Sequence, residues 1–181
     1  MISAKQYLSR VLKLAVTEGE RPIGDTALKK VHIILNPVAN GGYARQSYEQ
    51  YAKPLLDCAG YHVTMHKTEY VKHERDIAAE LTPADIIIIA GGDSTVQNVL
   101  TGLNRRSDFA EFKNIPIGII PLGGTNTTWH EFSGQNPATW SNPYTRAMRI
   151  VESAQMIVDG HTSPVDVLAL TNDDDKTVDT H

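Results

Sequence analysis

Five consecutive apolar residues, Ile86-Ile87-Ile88-Ile89-Ala90, run directly into Gly91-Gly92-Asp93. A strand that is apolar on both sides of its pleat has no face to give to water. It therefore belongs in a parallel sheet covered by helices on both faces. The segments around it follow the same plan. Val31–Leu35 is a short β-branched run, Tyr61–His66 alternates, Asp85–Ala90 contains the isoleucines, and Ile115–Ile120 is apolar again. Apolar spacings of three and four predict helices over residues 43–59, 72–81, 94–103 and 142–153. Gly60 stands where a glycine ends a helix, and Pro83 closes the second. Strands alternating with helices imply βαβ units, hence an α/β fold with a parallel sheet between two helical layers.

Composition limits the rest. Of the 181 residues, 41% are apolar and 21% charged, a globular balance. The formal net charge of −4 supplies no global basic field for nucleic acid, and no nucleic-acid partner is expected. Cys58 is the single cysteine, so no disulfide can form within the chain, and it reads as a small buried apolar residue. With a single cysteine in the chain, thiolate metal sites are out, and the seven histidines are read without a zinc site. No apolar run reaches the ~20 residues that span a bilayer. Residues 1–17 carry Lys5, Arg10 and Lys13 and no acid before Glu18, with Leu8, Val11, Leu12 and Ala15 at helical spacing. That pattern suits a mitochondrial presequence or a surface helix without acids. Residues 18–28 read as a linker, which gives a first segment 1–28 and a layered domain from residue 29 to 160.

Three clusters of chain-breaking residues directly follow strands one, three and four. They are Asn36-Pro37-Val38-Ala39-Asn40-Gly41-Gly42, Gly91-Gly92-Asp93-Ser94-Thr95 and Pro121-Leu122-Gly123-Gly124-Thr125-Asn126. In a parallel sheet these strands end at one edge, where open α/β sheets bind ligands. Glycine there lets backbone N–H groups approach an anion, and a following helix adds its positive N-terminus. A phosphate-bearing ligand at that edge is the expectation. Asp93 alone reads equally as a helix N-cap. Ser94 has no nearby histidine to serve as a base, which argues against a nucleophilic hydrolase. Trp129 and Trp140 flank a Ser/Gly/Asn/Pro loop and are expected to anchor it. The acid run Asp173-Asp174-Asp175 reads as a solvated turn.

Taken together, the three clusters resemble the diacylglycerol kinase catalytic domain, whose first domain is similar to the NAD kinase and phosphofructokinase fold. The runs Asp85–Arg106 and Ile115–Gly123 look most like the mitochondrial acylglycerol kinase branch, and the likeness extends from about Lys29 to Leu170. The resemblance implies an ATP-dependent lipid kinase that phosphorylates a mono- or diacylglycerol with Mg²⁺. It implies nucleotide contacts at Asn36, Pro37, Asn40, Gly41, Gly42, Thr68, Gly91, Gly92, Asp93, Ser94, Thr95, Gly123, Gly124, Thr125 and Asn126. Asp93 matches the family's catalytic acid, which would assist Mg²⁺-ATP or orient the lipid hydroxyl, and no metal ligand is assigned. Thr68 matches a position the family uses near the nucleotide, although it also reads as an ordinary exposed loop threonine. The implied partner is an acylglycerol lipid at a membrane surface, and the implied location is peripheral to the mitochondrial inner membrane. A second implied role is non-catalytic, as a scaffold in a mitochondrial protein-import assembly.

Departures from the family pattern bear on both roles. Ser94 replaces a glycine, which predicts strain or crowding if that position requires positive φ. Asn98 replaces a glutamate three residues past Thr95, while Gly124 and Thr127 stand for threonine and aspartate. The family's second, mainly β domain is represented by residues 161–181 alone. Its opening strand is expected at Pro164–Leu170 with nothing after it long enough to pair, so the expectation is a truncated chain with impaired turnover.

Overall fold

The computed structural model describes residues 28–134, 142–167, 169–172 and 175–180, the last two stretches by their backbone. The residues of the basic N-terminal segment before residue 28, Trp140, Asp173 and Asp174 lie outside these. Chain order begins with β1 (Lys30–Leu35), then α1 (Ala44–Ser47), α2 (Lys53–Cys58), β2 (His62–Lys67) and α3 (His73–Glu80). It continues through β3 (Ile86–Gly91), α4 (Asp93–Asn104), α5 (Phe109–Phe112), β4 (Ile117–Pro121), α6 (Thr127–Ser133) and α7 (Pro143–Asp159). A final pair, β5 (Ala169–Asn172) and β6 (Asp175–Thr180), closes the described chain.

The main sheet has the order β2-β1-β3-β4, and every pair is parallel. Val31 sits between Val63 and Ile86, and Ile87 is opposite Ile117. β1 and β3 are the inner strands, and β3 is buried at all six positions, as its unbroken apolar run requires. Alternate residues of these strands feed two separate cores. Ile33, Leu35, Ile88 and Ala90 pack with Tyr48, Leu55 and Leu56 of the first helical segment and with Ile150, Val151 and Ala154 of α7. Ile34, Ile87 and Ile89 pack on the other face with Ala78 of α3, Leu81 beyond it, and Val96, Val99 and Leu103 of α4. The three-layer α/β architecture read from the sequence is the architecture found.

Several local expectations need correction. The helix predicted over 43–59 is interrupted by a π-helical turn, Tyr48–Ala52, in which the Lys53 N–H reaches back five residues to the Tyr48 carbonyl. Pro54 is the physical reason: it has no N–H for the regular ladder, so the turn widens around the missing bond. The last long helix runs six residues past the predicted end at 153, because Ala154 and Val158 continue its buried face until Gly160 at φ 73° stops it. Its start is well marked, with the Asn142 side chain accepting from the Tyr144 N–H at 2.8 Å and Pro143 in the first turn. The short helices α5 and α6 were not expected. Residues 164–167 form no strand; the strand is Ala169–Asn172, and it pairs antiparallel with Asp175–Thr180. Asp175 thus opens a strand rather than lying in a turn, and the tail does hold a partner strand. Among the described residues, no helix is long and apolar enough to cross a membrane.

Candidate nucleotide-binding site

The three glycine-bearing turns meet. As β1 ends, the Asn36 N–H donates to the Ala90 carbonyl at 3.0 Å. As β4 ends, the Leu122 N–H donates to the Gly91 carbonyl at 2.8 Å. Both outgoing chains are thus held against β3 at the point where it turns. β2 joins them through the Thr68 N–H, 3.0 Å from the Leu35 carbonyl, and Thr68 is buried rather than an exposed loop residue.

Past these roots, the second and third turns touch backbone to backbone. A Cβ on Gly92 would lie 3.0 Å from Gly123 Cα, and one on Gly123 would lie 2.5 Å from Gly92 Cα and 2.9 Å from the Asn126 side-chain oxygen. Only hydrogen fits at position 123, while a methyl group at 92 would make a tight contact to which the third turn must yield by a few tenths of an ångström. Asn126 locks the third turn from beneath. Its Oδ1 accepts from the Gly123 N–H at 2.8 Å, its Nδ2 donates to the Gly123 carbonyl at 2.9 Å, and its backbone is left-handed at φ 55°.

Asp93 joins the same two turns. Its Oδ2 accepts from the Thr125 hydroxyl and its Oδ1 from the Thr128 N–H, each at 2.9 Å. Burial alone would raise this carboxyl, but the Thr128 and Thr127 N–H groups and the Thr125 and Thr128 hydroxyls outweigh it and hold Asp93 below the usual aspartate range. Asp93 is therefore the first residue of α4 while its side chain caps the start of α6. The sequence-level N-cap reading places the cap on the wrong helix.

The first turn is tied in through Asn36. Its Oδ1 accepts from the Val38 N–H at 3.2 Å, and its Nδ2 donates to Thr95 Oγ1 at 3.2 Å and to Glu74 Oε1 at 3.0 Å. Pro37 follows, and the chain then passes through left-handed Asn40, Gly41 and Gly42 at φ 52°, 66° and 90°. Thr95 is fully buried, and a Cβ on Gly91 would lie 2.5 Å from its hydroxyl. Gly124 and Thr125 are exposed on the outer side of the third turn, with nothing packed against Gly124.

Ser94 lies in the first turn of α4, outside the positive-φ residues, and its surface is exposed. The strain expected from replacing glycine there does not arise. Asn98 accepts from Arg75 Nε at 2.8 Å and so helps join α4 to α3. Sequence reasoning missed Glu74 and Thr128. For Glu74 a signal was present: Glu74, Ala78 and Leu81 fall at i, i+4 and i+7, which puts an acid on the buried stripe of a short helix. Thr128 had none, since its role depends on a contact 35 positions away.

A twelve-residue helix begins at Asp93, so its first N–H groups lack carbonyl partners within the helix and its positive end faces this rim. Together with the two glycine backbones in contact, this is chemistry for an anion with several oxygens. No group of three acidic, histidine or cysteine side chains suited to a metal ion occurs among the described residues.

Comparison with known proteins agrees with this geometry. Residues 30–170 match the diacylglycerol kinase catalytic domain. The chain is 37% identical over 179 residues to the Xenopus laevis protein named acylglycerol kinase, mitochondrial, covering 96% of this chain and 40% of that one. It is 37% identical over 151 residues to the Homo sapiens protein of the same name, covering 83% of this chain and 34% of the other. The chain thus spans about two fifths or less of the length of these relatives. Among solved structures, a diacylglycerol kinase from Bacillus anthracis superposes with a TM-score of 0.59 at 27% identity, over 79% of this chain and 44% of that one. With a matched region that takes in all three turns and the whole parallel sheet, the chain belongs to the diacylglycerol kinase catalytic domain family.

Proposed function

We propose that this chain is the nucleotide-binding part of an ATP-dependent lipid kinase that passes a phosphoryl group to the hydroxyl of a mono- or diacylglycerol. The observation that carries the reading is the contact between Gly92 and Gly123, with Asn36 tethered beside them through Thr95. Phosphoryl transfer depends chiefly on positioning and charge neutralisation, and a rim of backbone amides at a helix N-terminus suits a triphosphate. The residues proposed to build its seat are Asn36–Gly42, Thr68, Gly91–Thr95 and Gly123–Asn126, of which the buried Thr68, Thr95 and Asn126 would act by fixing the turns rather than by touching the nucleotide. Asp93 is proposed to seat the nucleotide against the third turn, since its carboxylate already fixes residues 125–128. Mg²⁺, when bound, neutralises charge on the phosphates. With no three-ligand cluster among the described residues, the nucleotide itself would supply most of its ligands.

An acylglycerol acceptor and a mitochondrial location are supported by the relatives' names and the basic start of the chain, and a membrane surface peripheral to the inner membrane is proposed as the place where the two meet. The scaffold reading loses one of its supports, because Ser94 fits the helix without strain.

The test is ADP release from Mg-ATP in vesicles with and without monoacylglycerol or diacylglycerol. Slow release that requires the acylglycerol is the expected result for this nucleotide-binding part, and Ser94→Gly should change its rate by no more than about twofold, since Ser94 would act through its backbone N–H and no positive φ has to be relieved. Mg-ATP binding without transfer to either lipid would contradict the kinase reading and favour a binding role.

A further inference from the structure

We infer that Glu74 is a positioning residue for the first turn, acting through the side chain of Asn36; this rests on the nucleotide site proposed above. Glu74 lies in the first turn of α3, only 3% exposed, where a carboxylate also suits the positive helix end. One of its oxygens accepts from Asn36 Nδ2 at 3.0 Å, and the other is buried with no hydrogen-bond partner. A carboxylate oxygen left bare in an interior is a cost that packing alone gives no reason to keep.

The geometry supplies a reason. Asn36 could present either its oxygen or its nitrogen inward, and the two choices exchange what the Val38 N–H meets. A carboxylate beneath it accepts and cannot donate, so the Asn36 nitrogen must point at Glu74. The Asn36 oxygen is then fixed toward the Val38 N–H at 3.2 Å, and the turn leading to Asn40-Gly41-Gly42 starts in one conformation. The Thr95 hydroxyl, 3.2 Å from the same nitrogen, extends this control to the second turn. Glu74 itself is too deeply buried to touch a nucleotide, so its effect must pass through Asn36.

The experiment combines Glu74→Gln, Glu74→Ala, Asn36→Ala and the Glu74→Ala/Asn36→Ala pair, with two readouts on the full chain. Amide hydrogen exchange of Val38 to Gly42, without nucleotide, should accelerate by about tenfold in Glu74→Gln, which keeps the shape but lets the amide turn over. Calorimetric titration with Mg-ATP should show weakening of about tenfold in Glu74→Ala. It should show no further weakening when Glu74→Ala is added to Asn36→Ala, because the second loss acts through the first. Additive losses in the pair, or unchanged exchange in Glu74→Gln, would overturn the inference. If the unaltered chain takes up no Mg-ATP, the nucleotide reading fails, while the exchange rates still decide whether Glu74 sets the turn.

Discussion

Asn126 meets three demands with one side chain: an acceptor for the Gly123 N–H, a donor to the Gly123 carbonyl, and tolerance of a left-handed backbone at φ 55° while buried. Asn126→Ala should cost at least about 3 kcal/mol, combining two unsatisfied buried backbone groups of about 1–3 kcal/mol each with a left-handed alanine at about 1 kcal/mol. Asn126→Gly removes only the conformational part and should be milder by about 1 kcal/mol. Urea denaturation of both variants checks this, and equal losses would mean the backbone is not strained there. Asp93 gives a pH prediction. Its folded carboxyl lies below its unfolded value, so its stabilisation is complete above about pH 4 and is lost as the pH falls through the folded value. Asp93→Asn should therefore shrink the difference in unfolding free energy between pH 6 and pH 3, measured by urea melts at the two pH values. The Asp93 motif was legible in the sequence, but its partners were not. Thr125 and Thr128 lie 32 and 35 positions away, and a pairing at that distance exists only once the sheet brings the turns together.

At the level of elements, β1, β3 and β4 were readable because each is short, apolar and closed by a breaker, and β2 because it alternates, with ends off by a residue or two, whereas β5 was placed too early and β6 was missed. Such errors follow from pairing: Gly91 extends β3 because Pro121 lies opposite it. Helix interruptions were harder, since Pro54 falls inside an otherwise regular apolar spacing and the chain widens one turn instead of ending. The edge of the sheet carries a further prediction. His32 and His66, on adjacent strands, place ring nitrogens 3.0 Å apart, and His32 also faces Thr82. Burial pushes both rings below the usual histidine range, and for His66 the neighbouring His32 adds to it. A depressed histidine stabilises the fold above its unfolded value, near pH 6.5, and that contribution fades as acid protonates the unfolded chain first. The melting temperature should drop between pH 7.5 and pH 5.5, and His66→Gln should reduce the drop; an identical drop in the variant would show that the pair does not carry it.

For the molecule as a whole, a parallel sheet brings every outgoing loop to one rim, so the convergence of three separated turns followed from strand direction alone. What strand direction could not supply was their contact distance, which depends on glycine at both 92 and 123. The central claim is that this contact builds a seat for a triphosphate. Its most direct test is calorimetric titration of Mg-ATP into the unaltered chain and into Gly123→Ala, whose new methyl group must push the two turns apart. Saturable one-to-one binding that weakens at least about tenfold, or about 1.4 kcal/mol, in a Gly123→Ala chain that remains folded is the predicted result. No saturable binding, or equal affinity in both chains, would contradict the account.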